Sequence, residues 1–303
     1  MDKKLITIIG KVDSINVGPH FCNTTIMIET KQNVNIKLDS SDAKKLKIGK
    51  IYQFSVIEVL KDEEKSFKNV SFVLVEDIFS PDELAKMYQT FYEYAPIPLD
   101  EIKTQIETYL KKIKNPIIKS VTTEVYNKFK SHFYLHPAAT KFHHAYYGGL
   151  SYHTLTMLKM IDPLVKIYPF LDVDILYAGA LLHDVSKIDE ISGVDGEYTI
   201  EGMLLGHIVM VTLEIEQVAA QKGYQDTEEL LMLKHTLIAH HGMLMYGSPK
   251  RPQTPEALIL WYIDTIDSKF SVLGDELAKT KPGEFTGPIQ VLDKVRFYKS
   301  KIK

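Results

Sequence analysis

The chain has 303 residues, 45% of them hydrophobic and 25% charged, with a formal net charge of −3. This balance fits a globular protein large enough for two domains and excludes disordered and fibrous classes. The single cysteine, Cys22, excludes an internal disulfide framework and any cysteine-rich zinc site.

The first segment, MDKKLITIIGKVDS, lacks the long apolar core and cleavage site of a signal peptide, and no later apolar run approaches the roughly 18–20 residues that span a bilayer. A cytoplasmic protein without a membrane partner is expected. Residues 4 to 78 read as strands. KLITIIGKVDSINVG alternates and turns at Gly18-Pro19, and TTIMIET and NVNIKLD flank a polar KQN turn. IYQFSVIEVL and KNVSFVLVEDI follow. Five short strands in so short a stretch predict a small closed barrel of the OB type, with a sandwich fragment as the competing arrangement. Such barrels stack single-stranded bases on aromatic side chains in a basic groove, and Phe21 in the GPHF loop is the aromatic candidate.

The pattern changes at Ser80, where SPDELAKMYQ has a capping serine, proline at the first helical position and Glu83 to complete a capping box. Helical periodicity then dominates. PLDEIKTQIETYLKKI and NPIIKSVTTEVYNKFKSHF read as amphipathic helices, with further helices near 150–162, 173–188, 202–221, 227–241 and 255–272; GSPKRPQTP reads as a loop. The expected fold class is α+β multidomain: a barrel over 1–79, a helical connector over 80–130, and an all-α bundle over 131–303.

Ten of the eleven histidines fall between His132 and His241, so histidine-dependent chemistry belongs to the second half. LLHDVSK places His183 and Asp184 side by side in an apolar run, where their polarity requires compensation by a hydrogen bond or a metal. His153, His207, His240, His241 and Asp264 likewise sit on predicted helices that are otherwise mostly apolar. One such histidine is more often a hydrogen-bonded core residue than a ligand. So many on successive helices are hard to satisfy pairwise, while a cation satisfies them together. Imidazoles and carboxylates without thiolates suit Mn²⁺, Fe²⁺, Co²⁺, Ni²⁺ or Zn²⁺.

The order H…HD…D, carried by His153, His183-Asp184 and Asp264, resembles the signature of the HD-domain phosphohydrolase superfamily. Histidines between the HD pair and the last aspartate resemble the subset that binds two metals. PAATKFHHAYYGGLSYHTLTM, LLHDVSKI, AHHGMLMYGSPKRPQTPEA and GEFTG are similar to the YhaM-type 3′→5′ exoribonucleases, in which an OB-type domain precedes the HD domain. WYIDTID departs from the commoner alanine-aspartate form by having Ile263 before Asp264, and Asp267 follows one turn later as an alternative ligand.

The resemblance implies two divalent ions, Mn²⁺ foremost. It places His153, His183 and Asp264 on one and His207, His240 and His241 on the other. Asp184 is the natural bridge, since a carboxylate has two oxygens to share. Such a pair holds a phosphodiester and acidifies water for attack; cleavage of the last linkage of a 3′ end releases a nucleoside 5′-monophosphate. Lys187, one turn after Asp184, reads either as a cation for the substrate phosphate or as a solvated lysine favoured by the helix dipole. His143 and His144 read as substrate contacts or as supports for the ligands, and Lys250 and Arg251 as guides for the nucleic-acid backbone. The expected partner is single-stranded RNA, with single-stranded DNA second, and the family expectation is a homo-oligomer. The alternatives are hydrolysis of nucleotides or cyclic dinucleotides by the same site, or a non-catalytic nucleic-acid-binding protein.

Overall fold

The computed structural model describes residues 5–18, 21–61, 64–139, 144, 146–193 and 197–302. Pro19 of the expected first turn and His143 lie outside the described residues, and the Phe21 side chain is likewise not described. The chain divides into two compact units, Met1–Tyr94 and Ala95–Lys303. Each has its own apolar core.

In the first unit, β1 (Leu5–Gly18), β2 (Phe21–Ile28), β3 (Asn33–Lys37), β4 (Ile51–Lys61) and β5 (Glu64–Leu74) close into a barrel in the order β1-β2-β3-β5-β4. Closure depends on β1 being long enough to pair twice. Leu5–Lys11 run against β4, Gly10–Gly18 run against β2, and a bulge between Val12 and Ser14 bends the strand between its two partners. β3 meets β5 in the one parallel pairing among the described residues, Ile36 opposite Phe67. Inward residues of the period-2 pattern, among them Val12, Ile26, Ile36, Phe54 and Val56, are fully buried. The short helix α1 (Ser40–Ala43) lies between β3 and β4 and buries Ala43, with Leu46 just beyond it. The fold is therefore the OB-like barrel expected, not a sandwich. β5 begins at Glu64, earlier than expected, and its end gives way to a 3₁₀ turn at Val75–Asp77.

Ser80 and Glu83 form the expected box at the start of α2 (Pro81–Phe91), the serine N–H donating to Glu83 Oε2 at 2.9 Å. Tyr92 donates its hydroxyl to Gly49 O at 2.6 Å, which ties the end of α2 to the barrel. Of the segment expected as a connector, α2 falls in the first unit, while α3 (Leu99–Lys112) and α4 (Pro116–Phe133) fall in the second.

The second unit continues with α5 (Gly149–Ile167), α6 (Val173–Leu182), α7 (Lys187–Glu190), α8 (Ile200–Leu205), α9 (His207–Lys222), α10 (Glu228–Ile238) and α11 (Pro255–Lys279). Every residue of α6 from Ile175 to Leu182 is buried, which makes it the axial helix of the bundle. Asp172 caps it, accepting from the N–H groups of Asp174 and Ile175 at 2.8 and 3.1 Å. Leu176 and Leu182 of this helix pack with Leu155, Leu158, Leu233 and Leu260 of α5, α10 and α11, all without exposure, each contributing roughly 1.5–3 kcal/mol of burial. Among the described residues, no helix is long and apolar enough to cross a membrane.

Candidate metal centre

The sequence reading placed all the ligand candidates within helices, and the structure corrects this. Only His153, in α5, and Asp264, in α11, stand within helices away from their ends. α6 ends at Leu182, and His183 and Asp184 occupy the tight turn that follows, closed by Val185 N to Leu182 O at 3.2 Å and Lys187 N to Asp184 O at 3.0 Å. The expected helix over 202–221 is broken at Gly206, whose φ of 73° and ψ of 152° suit only glycine, and His207 becomes the first residue of α9. His240 and His241 lie just past α10, before Gly242. At Gly242 φ is 74° and a Cβ would fall 2.0 Å from the Trp261 ring, so the turn must pass close over α11. Helix ends and turns release side chains from the helical repeat and allow them to converge from different directions.

They converge on Asp184, a residue 3% exposed. Its Oδ2 lies 3.3 Å from His183 Nε2, 3.9 Å from His153 Nε2 and 2.7 Å from Lys187 Nζ. Its Oδ1 lies 3.3 Å from His207 Nε2 and 3.8 Å from His240 Nε2. Asp264 Oδ1 is 3.3 Å from His153 Nε2, whose other close neighbour is His183 Nε2 at 3.2 Å. Among the described residues the ligand-capable atoms fall into three groups: His153 with His183 and Asp184, Asp184 with His207, His240 and His241, and His153 with His144 and Asp267; the first two meet at Asp184.

The tautomers follow from what each Nδ1 touches. His183 Nδ1 faces Ala180 O at 2.9 Å, His240 Nδ1 faces Leu237 O at 2.7 Å and His241 Nδ1 faces Tyr246 O at 2.8 Å. His207 Nδ1 faces Glu190 Oε2 at 2.9 Å and His153 Nδ1 faces Asp267 Oδ2 at 2.6 Å. Every one of these partners only accepts, so each Nδ1 carries the hydrogen and each Nε2 is left as the donor atom for a cation. Three buried atoms of the Asp184 cluster, Asp184 Oδ1, His207 Nε2 and His240 Nε2, have no hydrogen-bond partner among the described residues. Buried polar atoms left unpaired are costly, and three pointing into one space fit a bound cation.

The charge states agree with that chemistry. Burial would raise the Asp184 carboxyl, but the positive charge of Lys187 and the His183 imidazole hold it well below the usual carboxylate range. Burial would likewise raise Asp264, which His153 pulls down. Burial lowers His240 and His241, and the neighbouring imidazoles lower them further, so both are neutral at physiological pH and able to bind a metal. Burial opposes the charge of Lys187, yet Asp184 raises it above the ordinary lysine range.

Glu190 has no place in the sequence-based expectation, and Asp267 enters it only as an alternative ligand. Glu190 accepts from both the backbone N–H of His207, at 3.2 Å, and its ring. Burial would raise this carboxyl, but His207 keeps it low. Asp267 stands on the Nδ1 side of His153, away from the Asp264 side, and also contacts His144 Nε2 at 2.9 Å. His144 is 5% exposed and its Nδ1 meets the Tyr146 hydroxyl at 2.6 Å. Both its nitrogens are occupied, which favours the supporting role over direct substrate contact. Lys187 lines a cavity of about 550 Å³ together with Asp184, His241 and Asp264. Lys250 and Arg251 lie exposed in the loop before α11 and do not line it.

A helical bundle that gathers H…HD…D around one buried carboxylate defines a hydrolase of the HD-domain class, and the family model described as HD domain matches residues 150–269. Within that class, the chain belongs to the YhaM family of 3′–5′ exoribonucleases. It is 44% identical over 210 residues to 3′-5′ exoribonuclease YhaM of Bacillus licheniformis, an alignment covering 69% of this chain and 67% of the relative. The Bacillus subtilis protein of the same name is 43% identical over the same shares. That of a Geobacillus species is 43% identical, with 64% of the relative covered.

Proposed function

We propose that this chain is a metal-dependent 3′→5′ exoribonuclease that hydrolyses the terminal phosphodiester of single-stranded RNA and releases nucleoside 5′-monophosphates, with single-stranded DNA as a second substrate. The observation that carries the reading is the trio of unpartnered buried atoms, Asp184 Oδ1, His207 Nε2 and His240 Nε2, on the far side of a carboxylate whose Oδ2 faces His183. His153, His183, Asp184 and Asp264 would hold one divalent ion. Asp184, His207, His240 and His241 would hold a second. Imidazoles and carboxylates without a thiolate suit Mn²⁺, Fe²⁺, Co²⁺, Ni²⁺ or Zn²⁺ alike, and Mn²⁺ is placed first on the family resemblance. Bound ions of this kind neutralise a phosphodiester's non-bridging oxygens and acidify water.

The protein's own groups do the rest. Asp267 and Glu190 each orient an imidazole, and Lys187 places an ammonium at the cavity wall where phosphate charge develops. Lys250 and Arg251 are exposed cations that can guide a strand on the surface. The barrel, with Lys31, Lys37 and Lys44 exposed, supplies a surface for single strands. The test is an assay of full-length protein with Mn²⁺ on a 5′-labelled RNA oligomer, which should shorten from its 3′ end with mononucleotide products. Asp184→Asn should bind less metal and lose at least about 10³-fold in rate, the scale of several kcal/mol of charge stabilisation. Intact RNA alongside rapid turnover of a cyclic dinucleotide would overturn the proposal.

A further inference from the structure

The cavity beside the metal centre has a wall that the centre itself does not use. Gln290, Val291 and Asp293 contribute to the lining from the C-terminal segment, far in sequence from every ligand candidate. That segment, which opens on the GEFTG motif, doubles back on itself through bridges between Phe285 and Tyr298 and between Ile289 and Val295. It is pinned to the end of α11, where Lys299 Nζ donates to Leu277 O at 2.7 Å and Thr280 O at 2.8 Å. Ile289 and Thr286 are buried beneath it.

The tip ends on two successive residues in the left-handed region, Asp293 at φ 54° and Lys294 at φ 61°. Neither is glycine, which adopts that region freely. Residues held this way persist where the surroundings over-determine them, and they concentrate at ligand sites. Here the tip brings a carboxylate to the cavity wall, and Asp293 makes no hydrogen bond or ion pair among the described residues.

We propose that Asp293, with Gln290 beside it, recognises the free 3′ end by accepting hydrogen bonds from the hydroxyls of the terminal ribose. The inference rests on the exoribonuclease reading above and specifies which end group the site admits. The reacting phosphate would lie at the ions that Asp184 and Asp264 would hold, so the terminal nucleoside occupies the remainder of a cavity of about 550 Å³, and the hairpin is part of its wall. A carboxylate only accepts hydrogen bonds, and a ribose hydroxyl is a donor that matches it. A terminal phosphate has no proton to offer in its dianionic form and is repelled by the same group. Asp293 therefore favours a hydroxyl end over a phosphorylated one, against the attraction of Lys269 in the same lining.

The experiment measures kcat/KM for removal of the first nucleotide from two RNA oligomers of identical sequence, one ending in a 3′-hydroxyl and one in a 3′-phosphate. It uses the full-length protein loaded with Mn²⁺, Asp293→Asn and Lys294→Asn. Asparagine tolerates the left-handed conformation, so either substitution keeps the turn while removing one charge. The unaltered protein should prefer the hydroxyl end by about 100-fold or more, the scale of a like-charge clash. Asp293→Asn should cut that preference to about 10-fold or less, by gaining on the phosphate end and raising KM on the hydroxyl end. Lys294→Asn should retain the preference, and metal content should be equal in all three. Equal rates on both ends in the unaltered protein, or full discrimination in Asp293→Asn, would overturn the inference and leave the exoribonuclease reading standing. Failure of the unaltered protein to shorten the hydroxyl-ended RNA would overturn both.

Discussion

His153 stands between two carboxylates, Asp267 on its Nδ1 side at 2.6 Å and Asp264 on its Nε2 side at 3.3 Å. Burial alone would lower its pKa, but hydrogen bonds and charge from the two aspartates raise it to about 10. Without a metal, a proton therefore takes the place that a cation would fill. Because the folded value is raised, the stabilisation is complete below the unfolded pKa of roughly 6.5 and is lost as pH rises through about 10. Asp267 runs the other way. Burial would raise it, yet His144 and His153 hold it near about 2, so its contribution is present above roughly 4 and lost as pH falls through about 2. Chelator-treated protein should thus melt at progressively lower temperature from about pH 7 to 10, and Mn²⁺ should remove that alkaline limb by replacing the proton. Asp267→Asn should shift the limb to lower pH and weaken metal binding about 10- to 100-fold, the usual consequence of losing a carboxylate that orients a ligating imidazole. Melting curves across pH, with and without metal, decide the matter. A flat alkaline profile in the chelated protein would count against a proton shared at His153.

At the scale of elements, the centre depends on where helices stop. The apolar pattern of 173–188 reads through the end of α6 because Leu181, Leu182 and Val185 are buried whether or not the backbone stays helical. No glycine or proline marks the stop at Leu182, so periodicity had nothing to register. The break at Gly206 did carry a signal, a single glycine inside a helical pattern, whereas α10 stops at Ile238, short of the expected end at His241, with no such mark before Gly242. The ligand candidates themselves were legible because imidazoles and carboxylates are conspicuous in apolar runs. The carrier roles of Glu190 and Asp267 were not, since a carboxylate in a helical stretch looks solvated, or like one more ligand, until its partner element is in place. Gly206 offers a direct test of this dependence. A Cβ there would meet nothing closer than Glu190 Oε1 at 3.8 Å, so Gly206→Ala adds backbone strain without a clash. It should cost about 1–3 kcal/mol in urea unfolding and, by drawing α8 and α9 toward one continuous helix, displace His207 and lower the bound metal. Unchanged stability and metal content would mean that the break does not need glycine.

For the whole molecule, alternation gave the five strands, while closure was not written in any one of them. It depends on β1 serving two neighbours across its bulge, a long-range pairing that periodicity does not encode. The barrel core, built on Val12, Ile26, Ile36 and Phe54, shares no residue with the helical core. Two self-contained cores make it possible to test the proposed division of labour, strand capture by the barrel and cleavage by the bundle, by separating them. Residues 95–303 retain every ligand candidate, every orienting carboxylate and the C-terminal hairpin. A chain cut before Ala95 should therefore fold, bind metal as the full chain does, and hydrolyse a dinucleotide at a rate within about threefold of the full chain, because a substrate that short cannot engage a separate groove. On a 20-nucleotide RNA the same truncated chain should show KM raised about tenfold or more, since each stacked base contributes roughly 1–3 kcal/mol. The loss should shrink as salt rises, because exposed lysines such as Lys31, Lys37 and Lys44 act through counterion release, which matters most at low ionic strength. Equal losses on both substrates would instead make the barrel part of the cleavage machinery, since a domain acting only through strand affinity leaves the turnover of a dinucleotide untouched.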